Sequence, residues 1–221
     1  MLVNLSDAVA MNAKPKYALL SVAMPSNITK SQMRELAQGF NEVAQQFGVE
    51  IIGGDTLSNT KLDITVTIIS TTKKPLLRSG AKVNDFIAYT GKLGDSKKEL
   101  KKLLLGGRIH KKSKFINIKL RDRFIKNSSR FLSAGMDISD GLFSDLSKLS
   151  ESSRVGYKFF KSISKDIGCS GEEYEMLVSF SKRDKKAVMR RAKQSRTPLT
   201  IFGVTSRVKY TNRCTSHHFK R

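Results

Sequence analysis

Residues 136–142 read MDISDGL, and this stretch places two carboxylates, Asp137 and Asp140, at one turn of a strongly basic chain. An apolar segment leads into it, and an amphipathic stretch begins at Leu142, a pattern that predicts a strand, a tight turn and a helix. Two carboxylates three residues apart repel each other, and only one of them can cap the helix. A bound cation would relieve that repulsion.

Other acidic residues also occur where a predicted apolar strand gives way to Gly or Ser. They are Asp7 in Leu5-Ser6-Asp7, Asp55 after Gly53-Gly54, Asp95 after Gly94, and the three glutamates of residues 171–175. Helix capping also explains such positions, and for Asp95 it is at least as good an explanation. Mg²⁺ prefers oxygen ligands and usually takes one or two carboxylates together with substrate phosphates. Together with glycine turns and cations such as Arg78, these carboxylates predict a site for Mg-bridged phosphates.

The chain has 41 Lys+Arg and 19 Asp+Glu among its 221 residues, a net charge of +22. Such a charge can indicate a nucleic-acid surface, because Lys and Arg displace counterions from phosphates. The charges are spread over residues 97–126 and 182–196 without the interleaved aromatic residues of a base-stacking surface. We therefore favour solvated faces, expect anionic ligands, and keep a non-catalytic nucleic-acid-binding protein as an alternative.

Several protein classes are disfavoured by missing patterns. No apolar run approaches the roughly 20 residues that span a bilayer, and the N-terminus lacks a signal-peptide pattern, which predicts a cytoplasmic protein without membrane contact. The sequence has no GxxxxGK[ST], GxGxxG or GxSxG motif. Cys169 and Cys214 are too few and too far apart to indicate a disulfide framework, so we expect reduced thiols. Cys214 with His217 and His218 is at most a fragment of a zinc site.

Strand-like and helix-like periods alternate along the chain, which predicts an α/β or α+β fold. The predicted strands are 17–24, 49–52, 62–69, 85–90, 155–160, 174–180 and 199–205. The predicted helices are 96–105, 118–131, 141–150, 184–194 and one that a capping box at Thr29 opens and Gly48 ends. A turn-rich connector at 75–84 predicts a boundary between domains 1–75 and 76–221.

These motifs resemble, in order and over nearly the whole chain, those of the thiamine-monophosphate kinases. The matching segments are residues 2–7 (LVNLSD), 11–15 (MNAKP), 53–56 (GGDT), 78–85 (RSGAKVND), 90–96 (TGKLGDS), 136–142 (MDISDGL), 171–176 (GEEYEM) and 218–219 (HF). The resemblance implies the two-domain fold of aminoimidazole ribonucleotide synthetase, with an N-terminal domain that pairs in a homodimer. Another ATP-using member of that superfamily, an aminoimidazole ribonucleotide or selenophosphate synthetase, is the alternative within the fold.

The resemblance also implies an activity, its cofactors and its site residues. The γ-phosphoryl group of ATP would pass directly to thiamine monophosphate, with Mg²⁺ ions and without a phospho-enzyme, giving thiamine diphosphate. The implied metal ligands are Asp7, Asp55, Asp137 and Asp140. The implied ATP contacts are Gly54, Asp55, Arg78 and Ser139, and the turn with Glu172 and Glu173 would face the thiamine end.

The sequence also departs from the family pattern. Met1 already lies in the NLSD segment, so a preceding GDDAAV-like motif is not present and the N-terminal domain is expected to be incomplete. On that ground we expect weak or no kinase activity from the 221 residues alone. Val83-Asn84 replaces Pro-Gly, Ser170 replaces a Gly, Glu173 replaces an Asp, and Ser216 stands where the family tends to have an aromatic residue.

Overall fold

A computed structural model describes residues 1–215, and the chain divides into two compact units. The first unit contains residues 1–9 and 13–74, and the second contains residues 10–12 and the chain from Pro75 onward. Both units mix helices and strands. Within residues 1–215, no helix is long and apolar enough to cross a membrane.

The first unit is built around a three-stranded sheet. Its elements are α1 (Leu2–Ala10), β1 (Lys14–Met24), α2 (Lys30–Phe47), β2 (Glu50–Ser58) and β3 (Asp63–Thr71). The strand order is β2-β1-β3: β2 runs parallel to β1 and β3 antiparallel to it. Helix α2 forms the crossover that a parallel strand pair requires.

The ends of α2 confirm the predicted start and stop signals. The Thr29 hydroxyl accepts from the backbone N–H of Gln32, while the Gln32 side chain accepts from the Thr29 N–H, which completes the capping box. At the other end Gly48 takes the left-handed conformation with φ +62°. Local capping chemistry therefore sets both ends of this helix.

Two expected turns in the first unit are wrong. Asp7 lies inside helix α1, not after a strand, and Asp55 lies inside β2, because the strand continues through Gly53-Gly54 to Ser58. Gly54 permits that continuation: its φ is +152°, and a Cβ there would lie 1.7 Å from the Leu20 carbonyl oxygen of β1. The glycine pair, which predicts a turn in the sequence, instead lies where two strands approach each other closely.

The second unit contains a five-stranded antiparallel sheet with helices around it. Its elements are a 3₁₀ turn (Arg78–Gly80), β4 (Phe86–Thr90), α3 (Asp95–Leu104), α4 (Asp122–Ser128), a 3₁₀ turn (Ser129–Phe131), β5 (Ala134–Asp137), α5 (Leu142–Ser153), β6 (Gly156–Phe159), α6 (Lys165–Gly168), β7 (Met176–Phe180), a 3₁₀ turn (Lys182–Asp184), α7 (Lys185–Gln194) and β8 (Leu199–Ser206). The strand order is β5-β7-β4-β8-β6.

The core of the second unit lies between this sheet and α5. Leu142, Leu146 and Leu149 recur on one face of α5 and are completely buried. Every residue of β7 is buried, as expected of a strand in the interior of a sheet. Burial contributes roughly 1.5–3 kcal/mol for each large apolar side chain. This packing fixes α5, and therefore the turn that precedes it.

Two helix predictions are corrected. The helix expected over 118–131 is shorter, with α4 covering Asp122–Ser128 before a 3₁₀ turn. Neither Asp95 nor Asp140 caps a helix, because the N-cap positions of α3 and α5 are occupied by Gly94 and Gly141. Capping therefore does not explain these aspartates.

The expectation of reduced cysteines is wrong. Cys169 and Cys214 form a disulfide, with Cα atoms 5.6 Å apart. The fold brings the segment after β8 back beside the C-terminal end of α6, which a separation of 45 residues in sequence does not reveal. A disulfide sulfur is not a thiolate, so Cys214 is not a zinc ligand in this state. The predicted features at Ser216, His217, His218 and Phe219 lie outside the described residues.

Candidate functional site

In the second unit, the turn after β5 and the turn before β7 lie side by side. Asp137 pairs with Met176 at the end of the two strands. Beyond the strands, the Ile138 N–H donates to the Glu175 carbonyl (2.7 Å) and the Tyr174 N–H donates to the Ile138 carbonyl (2.8 Å). Backbone hydrogen bonds thus join the MDISDGL segment to the GEEYEM segment.

The TGKLGDS segment, residues 90–96, joins the same cluster. The Thr90 hydroxyl donates to the Glu175 carboxylate (2.7 Å) and accepts from the Met176 N–H (2.8 Å). The Gly94 N–H donates to the Glu173 carboxylate (2.8 Å), and the Ser96 hydroxyl donates to the Glu172 carbonyl (2.8 Å). Three motifs that are far apart in sequence are therefore one structural cluster.

Two buried carboxylates, Glu173 and Glu175, connect these turns, and two cations neutralise them. Arg121 donates from Nε and Nη2 to the two Glu175 oxygens, both at 2.7 Å. Lys114 Nζ lies 2.7 Å from Glu173 Oε2 and 3.4 Å from Glu175 Oε1. The side chains of Glu173 and Glu175 are 0% and 3% exposed. A buried charge is tolerated only when it is paired and hydrogen-bonded, and both are.

Sequence reasoning missed both cations. Lys114 and Arg121 lie in the basic segment 97–126, which we interpreted as solvated faces, yet Arg121 is 8% exposed. The available signal was the carboxylates themselves, since two glutamates directly before a mostly apolar strand need cations from elsewhere in the fold. Nothing in the local pattern distinguishes these two cations from their neighbours.

The GEEYE turn has an unusual backbone. Glu172 and Tyr174 have φ values of +57° and +50°, a left-handed conformation that costs energy for residues with a side chain. Hydrogen bonds hold it in place: the Glu172 N–H donates to the Ser139 carbonyl (2.7 Å), and the Tyr174 hydroxyl donates to the Glu172 carboxylate (2.5 Å). Such strain is characteristic of functional turns.

Lys148 of helix α5 bridges two aspartates, Asp140 in the preceding turn and Asp145 in the same helix. Its ammonium lies 2.6 Å from Asp140 Oδ2 and 2.8 Å from Asp145 Oδ1. Burial raises the pKa of Asp145 to about 6, although the hydrogen bond from Lys148 opposes this. Burial lowers the pKa of Lys148, but its hydrogen bonds to Asp140 and Asp145 outweigh that effect and raise it overall. The structure thus supplies a cation of its own beside the Asp137–Asp140 turn.

The other predicted site residues are divided between the two units. Asp7, Gly54 and Asp55 belong to the first unit, where Asp55 Oδ1 accepts from the N–H of Thr56 (2.8 Å). Arg78, Asp137, Ser139 and Asp140 belong to the second unit. Arg78 is exposed on its 3₁₀ turn, and Asp137 is 3% exposed at the end of β5.

The donor chemistry of these residues fits Mg²⁺. All four predicted ligands are carboxylates, the hard oxygen donors that Mg²⁺ prefers. Within residues 1–215, no group of three or more His, Cys, Asp or Glu is close enough to hold a metal ion.

Comparison with known proteins identifies the family. A thiamine-monophosphate kinase of Nitrosopumilus maritimus is 31% identical over 217 residues, which cover 90% of this chain and 70% of the relative. A thiamine-monophosphate kinase of Bacillus subtilis is 32% identical over 227 residues, covering 91% of this chain and 70% of the relative. The chain belongs to the thiamine-monophosphate kinase family. It is thus a member of a family of phosphotransferases.

Two further comparisons bear on the fold. Residues 1–72 match the family described as AIR synthase related protein, N-terminal domain. The structure of AaThiL complexed with AMPPCP and TMP matches with a TM-score of 0.81 and 24% identity, covering 94% of this chain and 72% of that one. The thiamine-monophosphate kinase of Stenotrophomonas maltophilia matches with a TM-score of 0.82 and 24% identity, covering 94% of this chain and 74% of that one. The predicted fold class, α/β (α+β) of the aminoimidazole ribonucleotide synthetase type, is confirmed.

Proposed function

We propose that this chain phosphorylates thiamine monophosphate to thiamine diphosphate by direct, Mg²⁺-assisted transfer of the γ-phosphoryl group of ATP. The observation that carries the proposal is the match over 90% of the chain to relatives named thiamine-monophosphate kinase. The structure of AaThiL, which contains the ATP analogue AMPPCP together with TMP, supports the choice of both ligands.

The proposed metal ligands are Asp7 and Asp55 in the first unit and Asp137 and Asp140 in the second. When bound, Mg²⁺ neutralises phosphate charge and orients the γ-phosphoryl group. The carboxylates supply the oxygen donors, and the paired turns keep Asp137 and Asp140 in position. Asp140 already contacts the ammonium of Lys148, so Lys148 offsets part of the charge that a metal ion would meet.

We assign ATP contacts to Gly54, Asp55, Arg78 and Ser139. Arg78 offers an exposed guanidinium, the side chain best suited to bind phosphate oxygens in pairs. The Ser139 carbonyl accepts from the Glu172 N–H, which anchors the backbone that carries the Ser139 hydroxyl. The space beside the Gly54 Cα is filled by the Leu20 carbonyl, so a contact between Gly54 and ATP would be made by the backbone of the edge strand β2.

The two glutamates of the substrate turn take different roles in this proposal. Glu172 is exposed on the strained turn and faces the substrate. Contact between Glu173 and substrate, which the resemblance implied, does not fit the geometry: its side chain is completely buried and bonded to Gly94, Ser96, Ser170 and Lys114. Glu173 is therefore a positioning residue that holds the turn bearing Glu172.

We further propose that the first unit pairs with a second copy of the chain. One face of its sheet carries exposed apolar side chains, with Tyr17 opposite Ile69 and Leu57 opposite Ala23. Tyr17, Leu19, Leu57 and Ile69 are 38–55% exposed. An apolar sheet face of this kind favours association. Light scattering should show a dimer that Leu19→Asp disrupts, whereas Arg34→Asp, at an exposed position of helix α2, should not disrupt it; a monomeric parent chain would overturn this proposal.

The kinase proposal is tested by incubating the chain with ATP, Mg²⁺ and thiamine monophosphate and measuring thiamine diphosphate by chromatography. Because we expect weak activity from the 221 residues alone, product is measured over long incubations, and whatever forms should require Mg²⁺ and fall at least about tenfold in Asp137→Asn, since a charge-assisted ligand contact is lost. Asp166→Asn is the matched control, because the Asp166 side chain is 91% exposed and pairs with Lys97 at the surface. Product that forms equally well with a chelator, full activity in Asp137→Asn, or a chain that neither forms thiamine diphosphate nor binds ATP with Mg²⁺ would overturn the assignment.

A further inference from the structure

The disulfide between Cys169 and Cys214 joins two segments with different surroundings. Cys169 follows the short helix α6 and is buried in the core of the second unit. Cys214 is partly exposed, and the other residues of the segment 211–215 are exposed. The bond therefore ties a segment at the surface to a packed one.

Cys169 belongs to the framework of the candidate site. It directly precedes Ser170, whose hydroxyl donates to Glu173 (2.6 Å) and accepts from the Lys97 N–H (3.2 Å). Its backbone also packs against the MDISDGL turn, since a Cβ on Gly141 would lie 3.2 Å from the Cys169 Cα. A change in the position of Cys169 would therefore reach both turns of the site.

The exposed half of the disulfide has few other anchors among the described residues. The Tyr210 hydroxyl donates to the Phe143 carbonyl (3.0 Å). Beyond Tyr210, the contacts with α5 are a long hydrogen bond from Asn212 to Ser144 (3.4 Å) and the Arg213 guanidinium, 5.9 Å from the centroid of the Phe143 ring. Exposed contacts of this kind are weak. Without the disulfide, residues 211–215 can open locally while Tyr210 holds the preceding residues.

Cys214 is the half of the disulfide that a reagent meets first, and its surroundings are cationic. Arg213 precedes it and lines the same pocket as Lys161, and residues 185–221 contain no Asp or Glu. Cationic surroundings increase the fraction of thiolate, which is the form that attacks a disulfide and the form that leaves it. The position therefore favours thiol exchange at Cys214.

We propose that the Cys169–Cys214 disulfide is a reversible thiol-exchange site, at which a dithiol reductant releases residues 211–215 and loosens the turn that carries Glu172. A thiolate of the reductant attacks the Cys214 sulfur, the sulfur–sulfur bond breaks, and the electron pair leaves on the Cys169 sulfur, which takes up a proton. The second thiol of the reductant then displaces the Cys214 sulfur, which is protonated in turn. The protein gains two thiols, and the reductant is oxidised to its own disulfide.

The exchange is tested on the whole chain with dithiothreitol as the dithiol, without denaturant. Thiol titration should count no thiols before reduction and two after it. The melting temperature should fall by roughly 5–10 °C on reduction, because the bond joins residues 45 apart in sequence, and oxidised glutathione should restore it. A variant with both Cys169→Ser and Cys214→Ser should have the same melting temperature with and without dithiothreitol.

Hydrogen exchange measured by mass spectrometry tests the link to the site. On reduction, the amides of residues 169–175 and 211–215 should exchange at least about tenfold faster, because both segments lose their covalent anchor. The amides of α2, in the first unit, should be unchanged and serve as the internal control. Cys214→Ser alone should show the faster exchange with or without dithiothreitol.

Three outcomes would overturn the proposal. They are two free thiols in the untreated chain that oxidised glutathione does not pair, a disulfide that dithiothreitol reduces only in an unfolded chain, and equal exchange of residues 169–175 in both states. None of these measurements uses phosphoryl transfer. A chain that shows the exchange and its effects but forms no thiamine diphosphate would support this inference and count only against the kinase proposal.

Discussion

Arg121 and Glu175 form a two-bond ion pair inside the second unit, with Nε and Nη2 each 2.7 Å from a carboxylate oxygen. The same carboxylate accepts from Thr90 and lies 3.4 Å from Lys114. The pair therefore joins the segment before α4 to both the strand β4 and the turn before β7. Its loss would release the turn that we assign to the substrate.

Arg121→Met should lower the free energy of unfolding by about 3–5 kcal/mol, because it leaves the buried Glu175 carboxylate without its main partner. At roughly 2–4 °C per kcal/mol, the melting temperature should fall by roughly 10 °C. Arg121→Lys should have an intermediate effect, since it keeps the charge but loses the paired geometry. Arg123→Met, at an exposed position two residues away, should change little. Thermal melts that do not separate Arg121→Met from Arg123→Met would refute the structural role of the pair.

Gly91→Ala should destabilise the same cluster. Gly91 has φ +62°, and a Cβ there would lie 1.9 Å from Glu175 Oε1. Gly106→Ala is a matched control: φ is +76°, but nothing lies within 4 Å of the added carbon. Backbone strain alone costs of order 1 kcal/mol, so denaturant titration should show that amount for Gly106→Ala and clearly more for Gly91→Ala. Equal losses would mean that the carboxylate moves aside without cost.

Lys148→Met should lower the stability of the protein and also lower its Mg²⁺ requirement for nucleotide binding. Stability should fall by about 1–3 kcal/mol, because the completely buried Asp145 carboxylate loses its cation. The Mg²⁺ concentration that gives half-maximal nucleotide binding should also fall, since a competing cation beside Asp140 is gone. Lys126→Met, an exposed charge in α4, serves as the control for both measurements. An unchanged Mg²⁺ requirement would show that Asp140 does not contact the metal ion.

The alkaline pH range should reveal the buried Tyr210. Burial raises the pKa of Tyr210 to about 12, while Arg213 opposes this. In the unfolded chain tyrosine ionises near pH 10. The stabilisation from Tyr210 is therefore complete below about pH 10 and is lost as the pH rises through 12. Urea midpoints at pH 9 and 11 should fall less in Tyr210→Phe than in the parent chain. An identical fall in both would contradict the assignment.

Local patterns predicted the elements of the fold well, and the errors have physical causes. The alternating and helical periods predicted β1, α2, β4, α5 and β7, because burial of one face imposes that period. The Gly53-Gly54 pair misled the prediction of a turn, because its role is a close contact with Leu20 of the neighbouring strand. A contact between strands leaves no signature in the sequence around the glycine.

The candidate site was predicted in part. Asp140 could be identified as a residue that needs a cation, and we expected a metal ion. Within the described structure its cation is Lys148 of α5. Lys114 and Arg121 could not be identified, because their partners are 54–59 residues away in sequence. The disulfide between Cys169 and Cys214 was missed for the same reason. Interactions between distant segments depend on the assembled fold.

The most direct test of the central claim, that these aspartates bind nucleotide through Mg²⁺, is calorimetry with AMPPCP in the presence of Mg²⁺ or of a chelator. Binding should require Mg²⁺, weaken at least about tenfold in Asp137→Asn, and persist in Asp166→Asn. Circular dichroism should confirm that Asp137→Asn is folded. Equal affinity with chelator, or in folded Asp137→Asn, would contradict the account.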